Sequence, residues 1–506
     1  MKKKIIFLDD LIKKVDAIKK SGKKVVQSHG VFDIIHPGII THLNSAKEQG
    51  DILVVTIIKD KDVRRGPGRP VFPELLRAEN AASLSQVDYV CIVDDGKPFE
   101  CVSRINPDVF AKGQSFKDRD GVVDKKIFEE QKDLYFGKSR IHLTNSSAIS
   151  STEIIKNFLD IYPVEVKNFL KEFLKKYSFD FIEKKINNLQ KMRILLIGDG
   201  IIDEYHYCES LGRSAKAPLV VNRYLTHEVF AGGAFAIANH IATFCDEVHL
   251  ISLVGNDNSR EKFIRMAIPS NVKIQLFKRE DGPTIVKKRY VHQYLNHKLF
   301  EVNYLNDAYI NANLESDIIG YLQSVISSYD VVLISDFGHG FITNKIIKFI
   351  EKHSRKFAVN TQTNAANTGY NMITKYRNPN YVCLDEDEIR LSAQERYLDI
   401  ESVAKKISRA INSDYLIVTR GKKGSMGINK TNVINRTPIF STKVIDTVGA
   451  GDAFFAYTAP CVARGFPLDL VSFIGNVVGA LAVQIVGNKK PVEKEELIQF
   501  IHSLLE

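Results

Sequence analysis

The chain has 506 residues, 44% hydrophobic and 26% charged, with 70 Lys+Arg against 60 Asp+Glu for a net charge of +10. That length suits two to four domains, and the composition excludes wholesale disorder and a collagen-like or Pro-rich chain. Residues 1–155 carry +4, residues 156–193 another +4 and residues 194–506 only +2, so no dense basic face points to nucleic acid.

Ile5–Leu8, after Lys2–Lys4, is a four-residue apolar run halted by Asp9 and Asp10, too short for the core of a secretory signal. Strands are predicted at Lys24–Ser28, Asp51–Ile58 and Asp88–Val93, with a helix through Ile39–Gln49. Such alternation predicts a parallel sheet covered by helices, with ligands at the carboxyl ends of its strands. Val166–Tyr177 and Phe179–Leu189 carry apolar residues at helical spacing among many lysines and read as a helical connector. A second alternation opens at Arg193, with strands at Ile194–Ile197, Val248–Val254, Val331–Ile334, Lys356–Val359 and Leu416–Val418. Thr284–His292 and Leu299–Tyr304 suggest a β-ribbon laid over that domain. The expected domains are thus 1–155, a connector at 156–192, and 193–506. The most apolar late stretch, Val477–Val486, falls well short of the roughly 20 residues of a membrane span. Six scattered cysteines form no Cys-x-x-Cys pair, which argues against zinc and disulfides and for a reducing cytoplasm.

The front site is read from Ser28-His29-Gly30-Val31-Phe32-Asp33-Ile34-Ile35-His36-Pro37-Gly38-Ile39. A strand runs into one glycine, then a histidine and a second glycine at a helix start. Free N–H groups and the helix dipole at such a place attract phosphate, and the histidine can donate to a phosphate oxygen. These residues resemble the nucleotidylyltransferase superfamily, especially its cytidylyltransferase-like members, over residues 24–155. His36 and Gly38 match the family's His-x-Gly-His, whose second histidine, Ile39 here, stabilises the departing pyrophosphate; His42 is a candidate substitute. The resemblance implies that Gly30, Phe32, Asp33, Gly38, Lys112, Ser150, Ser151 and Thr152 line a nucleotide site. It further implies that Arg64, Arg65 and Arg69, in a Gly/Pro-rich loop, neutralise phosphates. The implied reaction is in-line attack by a sugar phosphate on the α-phosphorus of ATP or CTP, with Mg²⁺ and without a covalent enzyme intermediate.

The strongest motif is Asp446-Thr447-Val448-Gly449-Ala450-Gly451-Asp452-Ala453-Phe454-Phe455. Gly449–Gly451 place consecutive N–H groups at a helix start, an anion hole for a transferring phosphoryl group, and Asp452 can take a proton from an attacking hydroxyl. The string resembles the ribokinase-like (PfkB) carbohydrate kinases over residues 193–506. That resemblance implies nucleotide and anion-hole contacts at Thr419, Gly421, Gly424, Thr447, Gly449, Ala450 and Gly451. It implies sugar contacts at Asp199, Asp203, Gly232, Gly233, Asp336 and Asn360, an indirect link to Mg²⁺ through Glu386, and a ribbon lid from 203–225 and 284–305 that often makes a dimer contact. Departures stand at Ala236, Asn360 and Cys383, where the family has Asn, Asp and Asn. They read as altered sugar specificity, with a weakened kinase as the alternative.

The expected fold is α/β: an N-terminal Rossmann-like nucleotidylyltransferase domain, then a C-terminal ribokinase-like domain with a β-ribbon lid. The combination resembles, in reversed order, the bifunctional heptose 7-phosphate kinase/heptose 1-phosphate adenylyltransferases of ADP-heptose synthesis. It implies a cytoplasmic, homo-oligomeric enzyme whose partners are small sugar phosphates and nucleoside triphosphates, with no nucleic acid and no membrane. The alternative is nucleotide and sugar binding without turnover, or one degenerate half.

Overall fold

The computed structural model describes residues 4–63, 69–94, 100–113, 139–144, 162–294, 297–441 and 443–505. The chain divides into two compact units, Met1–Pro163 and Val164–Leu505.

In the first unit β1 (Val25–Gly30), β2 (Ile52–Ile58), β3 (Tyr89–Val93), β4 (Val109–Gly113) and β5 (Arg140–Thr144) form a sheet of order β3-β2-β1-β4-β5. All of its pairings are parallel, so both faces must be covered. One face packs Val26, Leu53, Val55 and Val90 with Leu43 and Ala46 of α1 (Pro37–Lys47). The other packs Val25, Val54 and Phe110 with Leu11 and Val15 of the helix Leu8–Lys20. Neighbours in the sheet change direction of progression at β1, so the carboxyl ends of β1 and β4 flank a crevice.

The second unit begins earlier than the sequence boundary at 193. The segment expected as a connector holds helices Val164–Leu174 and Phe179–Asn187, and both belong to this unit. Phe173 stacks on Phe473 at 4.2 Å and Tyr177 Oη donates to Asp469 at 2.8 Å, so their apolar stripe is buried on the core of the second unit. The main sheet has nine strands, in order β10 (Val272–Pro283), β9 (Glu247–Asp257), β6 (Arg193–Gly198), β13 (Val331–Asp336), β14 (Phe357–Thr361), β15 (Tyr381–Asp385), β16 (Tyr415–Thr419), β17 (Ser425–Asn429) and β18 (Ile434–Thr437). It is parallel through β16, and the last two strands turn back antiparallel. A separate four-stranded sheet has the order β12 (Lys298–Tyr304), β11 (Val286–His292), β7 (Gly200–Arg213) and β8 (Val220–Gly233). No helix among the described residues is long and apolar enough to cross a membrane.

Candidate functional site

Parallel strands deliver polar residues to one edge of the nine-stranded sheet. Asp199 follows β6, Asp336 ends β13, Asn360 lies at the end of β14, Glu386 follows β15 and Thr419 ends β16. The register sets Ser335 beside Gly198 and Asn360, and Asp385 beside Thr419, which makes neighbours of residues far apart in the chain.

Over this edge begins α2 (Ala450–Ala463). Its N-cap Gly449 has φ +82°, and a Cβ there would lie 2.0 Å from Asn488 Oδ1, so only glycine fits. Gly451 is exposed and faces open space, which leaves the helix start approachable. Asp452, in the first turn, is 6% exposed. Gln362 Nε2 donates to its Oδ1 at 2.6 Å. Burial pushes the Asp452 carboxyl up to about 7, aided by nearby Asp203 and opposed by the Gln362 hydrogen bond and Lys287.

The remaining expected sugar residues gather beside it. Asp203 on β7 pairs with Arg289 on β11, and Arg289 Nε also reaches Glu301 Oε2 at 2.8 Å. A Cβ on Gly232 would meet Asp203 Oδ2 at 2.1 Å, and one on Gly233 would meet the Asp199 carbonyl at 2.5 Å. Asp199 Oδ2 accepts from the N–H of Phe337 at 2.9 Å, while its buried Oδ1 has no partner among the described residues. Burial, reinforced by Asp336, pushes the Asp199 carboxyl up to about 7. Asp336 is fully engaged: Oδ2 accepts from Tyr376 Oη and Lys375 Nζ, each at 2.6 Å, and Oδ1 from the N–H of Gly338 at 3.0 Å.

Among the residues expected to contact nucleotide, Gly424 has φ +75°, and a Cβ there would lie 2.0 Å from the Thr437 carbonyl. Gly421 is also left-handed, with open space beside it. Thr419 Oγ1 donates to the Leu384 carbonyl at 3.4 Å, while Thr447 is exposed and Ala450 half-buried. Glu386 Oε1 accepts from Arg390 Nη2 and Oε2 from Arg420 Nε, both at 2.8 Å. Burial raises the Glu386 carboxyl, but the two arginines outweigh it and hold it below its ordinary value. With both oxygens so used, Glu386 does not fit a direct metal ligand. Among the described residues no group of three or more His, Cys, Asp or Glu side chains is placed to hold a metal ion.

Several residues at this edge escaped the sequence reading. Gln362 touches Asp452, Lys287 lies close enough to lower its carboxyl, and Glu388 is pushed up to about 8 by burial and Asp385. The ribbon strand β12 supplies Lys298, whose Nζ reaches Asp446 Oδ1 at 2.7 Å just ahead of Thr447. Gln362 had a signal in the polar string Asn360–Asn364, and Lys287 and Lys298 lie in the ribbon expected from residues 284–305, whereas Glu388 had none.

In the first unit the signature residues lie after β1. His36 is the N-cap of α1, and its Nδ1 accepts from the N–H of Gly38 at 3.2 Å; burial lowers the imidazole below its ordinary value. Phe32 has φ +49° and covers Gly30, whose Cβ would lie 3.5 Å from its ring. Asp33 Oδ2 accepts from Arg69 Nε at 3.0 Å, and Oδ1 from the N–H groups of Val71 and Phe72 at 2.8 and 3.1 Å. Lys112 lies on β4 near His42, and its charge helps burial lower His42 to about 4. His42 is not a free substitute for the missing histidine, because Ser28 Oγ and Thr144 Oγ1 occupy its ring nitrogens at 2.7 and 2.6 Å. Ile39 packs against the core instead. Arg64, Arg65, Ser150, Ser151 and Thr152 lie outside the described residues.

Comparison with known proteins matches the two parts of the chain to two families. Residues 28–157 match the cytidylyltransferase-like family, and residues 191–495 match the pfkB family carbohydrate kinases. The bifunctional protein HldE of Histophilus somni (strain 129Pt) is 25% identical over 317 residues, 62% of this chain and 64% of that protein. The bifunctional protein HldE of a Nitratiruptor species is 40% identical over 126 residues, 24% of this chain and 27% of that protein. The matched part thus spans less than two thirds of each of these curated relatives. In fold, phosphofructokinase-2 from Escherichia coli in complex with potassium superposes with a TM-score of 0.52 at 14% identity, over 62% of this chain and all of that one. With more than half of its residues matched, the chain belongs to the pfkB family of carbohydrate kinases and carries a cytidylyltransferase-like domain ahead of its kinase domain.

Proposed function

We propose that the chain is a bifunctional enzyme of nucleotide-sugar synthesis. Its second unit phosphorylates a sugar or sugar phosphate, of the heptose 7-phosphate kind, with ATP. Its first unit transfers a nucleotidyl group from ATP or CTP to a sugar 1-phosphate and releases pyrophosphate. The observation that carries this reading is Asp452, a buried carboxyl raised to about 7 in the first turn of an open, glycine-started helix. A base with that affinity for protons is matched to neutral pH.

In the kinase step Asp452 takes the proton of the acceptor hydroxyl as it attacks the γ-phosphorus. The N–H groups at Gly449, Ala450 and Gly451 stabilise the charge on the transferring group. Thr419, Gly421, Gly424 and Thr447 hold nucleotide phosphates, and Asp199, Asp203, Gly232, Gly233, Asp336 and Asn360 orient the sugar. Mg²⁺ enters as the magnesium–nucleotide substrate, because Glu386 is committed to Arg390 and Arg420. In the transfer step His36 meets the phosphate at the helix start that Gly38 opens. Gly30 and Phe32 shape the approach, Lys112 lies across the crevice, and Asp33 holds Arg69 toward the nucleotide. Arg64, Arg65, Ser150, Ser151 and Thr152 complete the phosphate contacts.

The HldE resemblance supports a heptose phosphate, with the domain order reversed relative to heptose kinase/adenylyltransferases. Free cysteines at all six positions support a cytoplasmic setting. Exposed Leu211, Tyr224, Phe300 and Tyr304 on the four-stranded sheet support a homo-oligomer. A second reading, in which the first unit binds nucleotide without turnover, is favoured by the engaged His42 and the core-packed Ile39. Mass spectrometry of products from sugar phosphates with ATP and with CTP decides between them. A nucleotide-sugar plus pyrophosphate supports bifunctionality, whereas a phosphorylated sugar alone supports the second reading.

A further inference from the structure

Asp452 does not stand alone at the sheet edge. Asn360 Nδ2 donates to the Cys383 carbonyl at 2.8 Å, which ties Asn360 to the neighbouring strand β15. Gln362 Nε2 then donates to Asn360 Oδ1 at 3.0 Å and to Asp452 Oδ1 at 2.6 Å. The Gln362 backbone is itself anchored, since its N–H donates to the Asp336 carbonyl at 2.8 Å and its carbonyl accepts from Asn371 Nδ2 at 3.1 Å. Two ordered strand ends thus fix both ends of a chain of amides that terminates on one carboxylate oxygen.

We propose that Asn360 and Gln362 are positioning residues for the base, a side-chain amide relay that holds the Asp452 carboxylate in one rotamer and leaves Oδ2 for the acceptor hydroxyl. The inference rests on Asp452 being the base. The physical case has two parts. A carboxylate with one oxygen held at hydrogen-bond distance has a single orientation, and orientation within a fraction of an ångström governs proton transfer. A donated N–H also favours the ionised form, so the relay opposes the upward push of burial on the carboxyl. An amide suits this place better than a lysine or arginine: it donates without a full positive charge, so the base keeps enough proton affinity to work. Asn360 therefore acquires a role besides touching sugar. Its amide must point Nδ2 at Cys383 to offer Oδ1 to Gln362, an orientation the carbonyl of Cys383 enforces.

The test compares the full-length parent with Gln362→Leu, Gln362→Glu and Asn360→Ala. Gln362→Glu keeps the size of the side chain but replaces the donor by an acceptor. Carboxyl titration by ¹³C-aspartate NMR assigns Asp452 as the resonance lost in Asp452→Asn. Both Gln362 variants are expected to titrate at least about one unit above the parent, with Asn360→Ala shifted less in the same direction. With ATP and a heptose 7-phosphate as substrates, kcat at pH 7 is expected to fall about 10- to 100-fold while KM for ATP changes less than about twofold. The acidic limb of kcat should move up with the NMR midpoint. An unmoved Asp452 midpoint in folded Gln362→Leu or Gln362→Glu overturns the relay, even if kcat falls. If Gln362→Leu does not fold, Gln362→Glu alone decides. Kinase turnover that survives in Asp452→Asn overturns the base assignment instead, a separate result from the midpoint shift.

Discussion

The two units use their signature residues in opposite ways. In the second, the glycine-started helix leaves its start open and Asp452 buried with raised proton affinity, and Asp199 keeps one carboxylate oxygen without a partner among the described residues, although Asp336 and Glu386 are engaged. In the first, the described signature residues are mostly committed to each other. Asp33 clamps the turn at 69–72, His36 caps its own helix, and the ring nitrogens of His42 join two strand ends. The difference teaches where strain is kept. An orphaned carboxylate oxygen such as Asp199 Oδ1 costs stability unless a ligand completes it, whereas a capped and paired loop is stable with or without one.

The largest expected effect separates the units outright. Asp452→Asn should lower ATP-dependent sugar phosphorylation by about 10³-fold or more while pyrophosphate release by the first unit stays unchanged; a coupled assay for ADP and one for pyrophosphate read both in one preparation. Next, His36→Ala should lower pyrophosphate release about 100-fold with sugar phosphorylation intact. Equal losses of both activities would erase the distinction between the units. Titrating the kinase reaction gives the third contrast. A base works only when ionised, and burial pushes the Asp452 carboxyl up to about 7, so if Asp452 is the base, turnover should fall about tenfold per unit as pH drops below that value. A flat profile from pH 5 to 8 would assign the limiting step to another group. Gly232→Ala drives a methyl into Asp203 Oδ2 and breaks its ion pair with Arg289. KM for the sugar should rise about tenfold, with little change for ATP. The smallest effect sharpens the comparison: Ile39→His should speed pyrophosphate release by a few-fold if the missing histidine limits the first unit. Because Ile39 packs on the core, it should also lower stability by about 1–2 kcal/mol, read as a lower melting temperature.

Much of the fold was legible because short apolar runs alternating with helical periodicity leave few arrangements for a parallel sheet. Strands expected at Ile194–Ile197 and Val331–Ile334 occur at Arg193–Gly198 and Val331–Asp336. The helices at 164–187 were legible as helices but not as part of the second unit. Their stripe of Phe169, Phe173 and Tyr177 needed the distant Phe440 and Phe473 to show what it covers. At the site, Asp452 and Gly449 were legible because a left-handed turn at a helix start demands glycine locally. The contacts of Gln362 and Lys298 were not, since their partners Asp452 and Asp446 lie far off in the chain and reach them only through tertiary packing.

By itself, then, the sequence determined that this is a two-part α/β chain with two glycine-marked helix starts, because periodicity, glycine placement and short motifs act over a few residues. Tertiary structure alone decided which side chains are ready to react and which are spent. The Asn360–Gln362 and Glu386–Arg390 contacts are local, but tertiary packing brings Asp452 to Gln362 and Arg420 to Glu386, and makes His42 a tie between Ser28 and Thr144 rather than the expected substitute histidine.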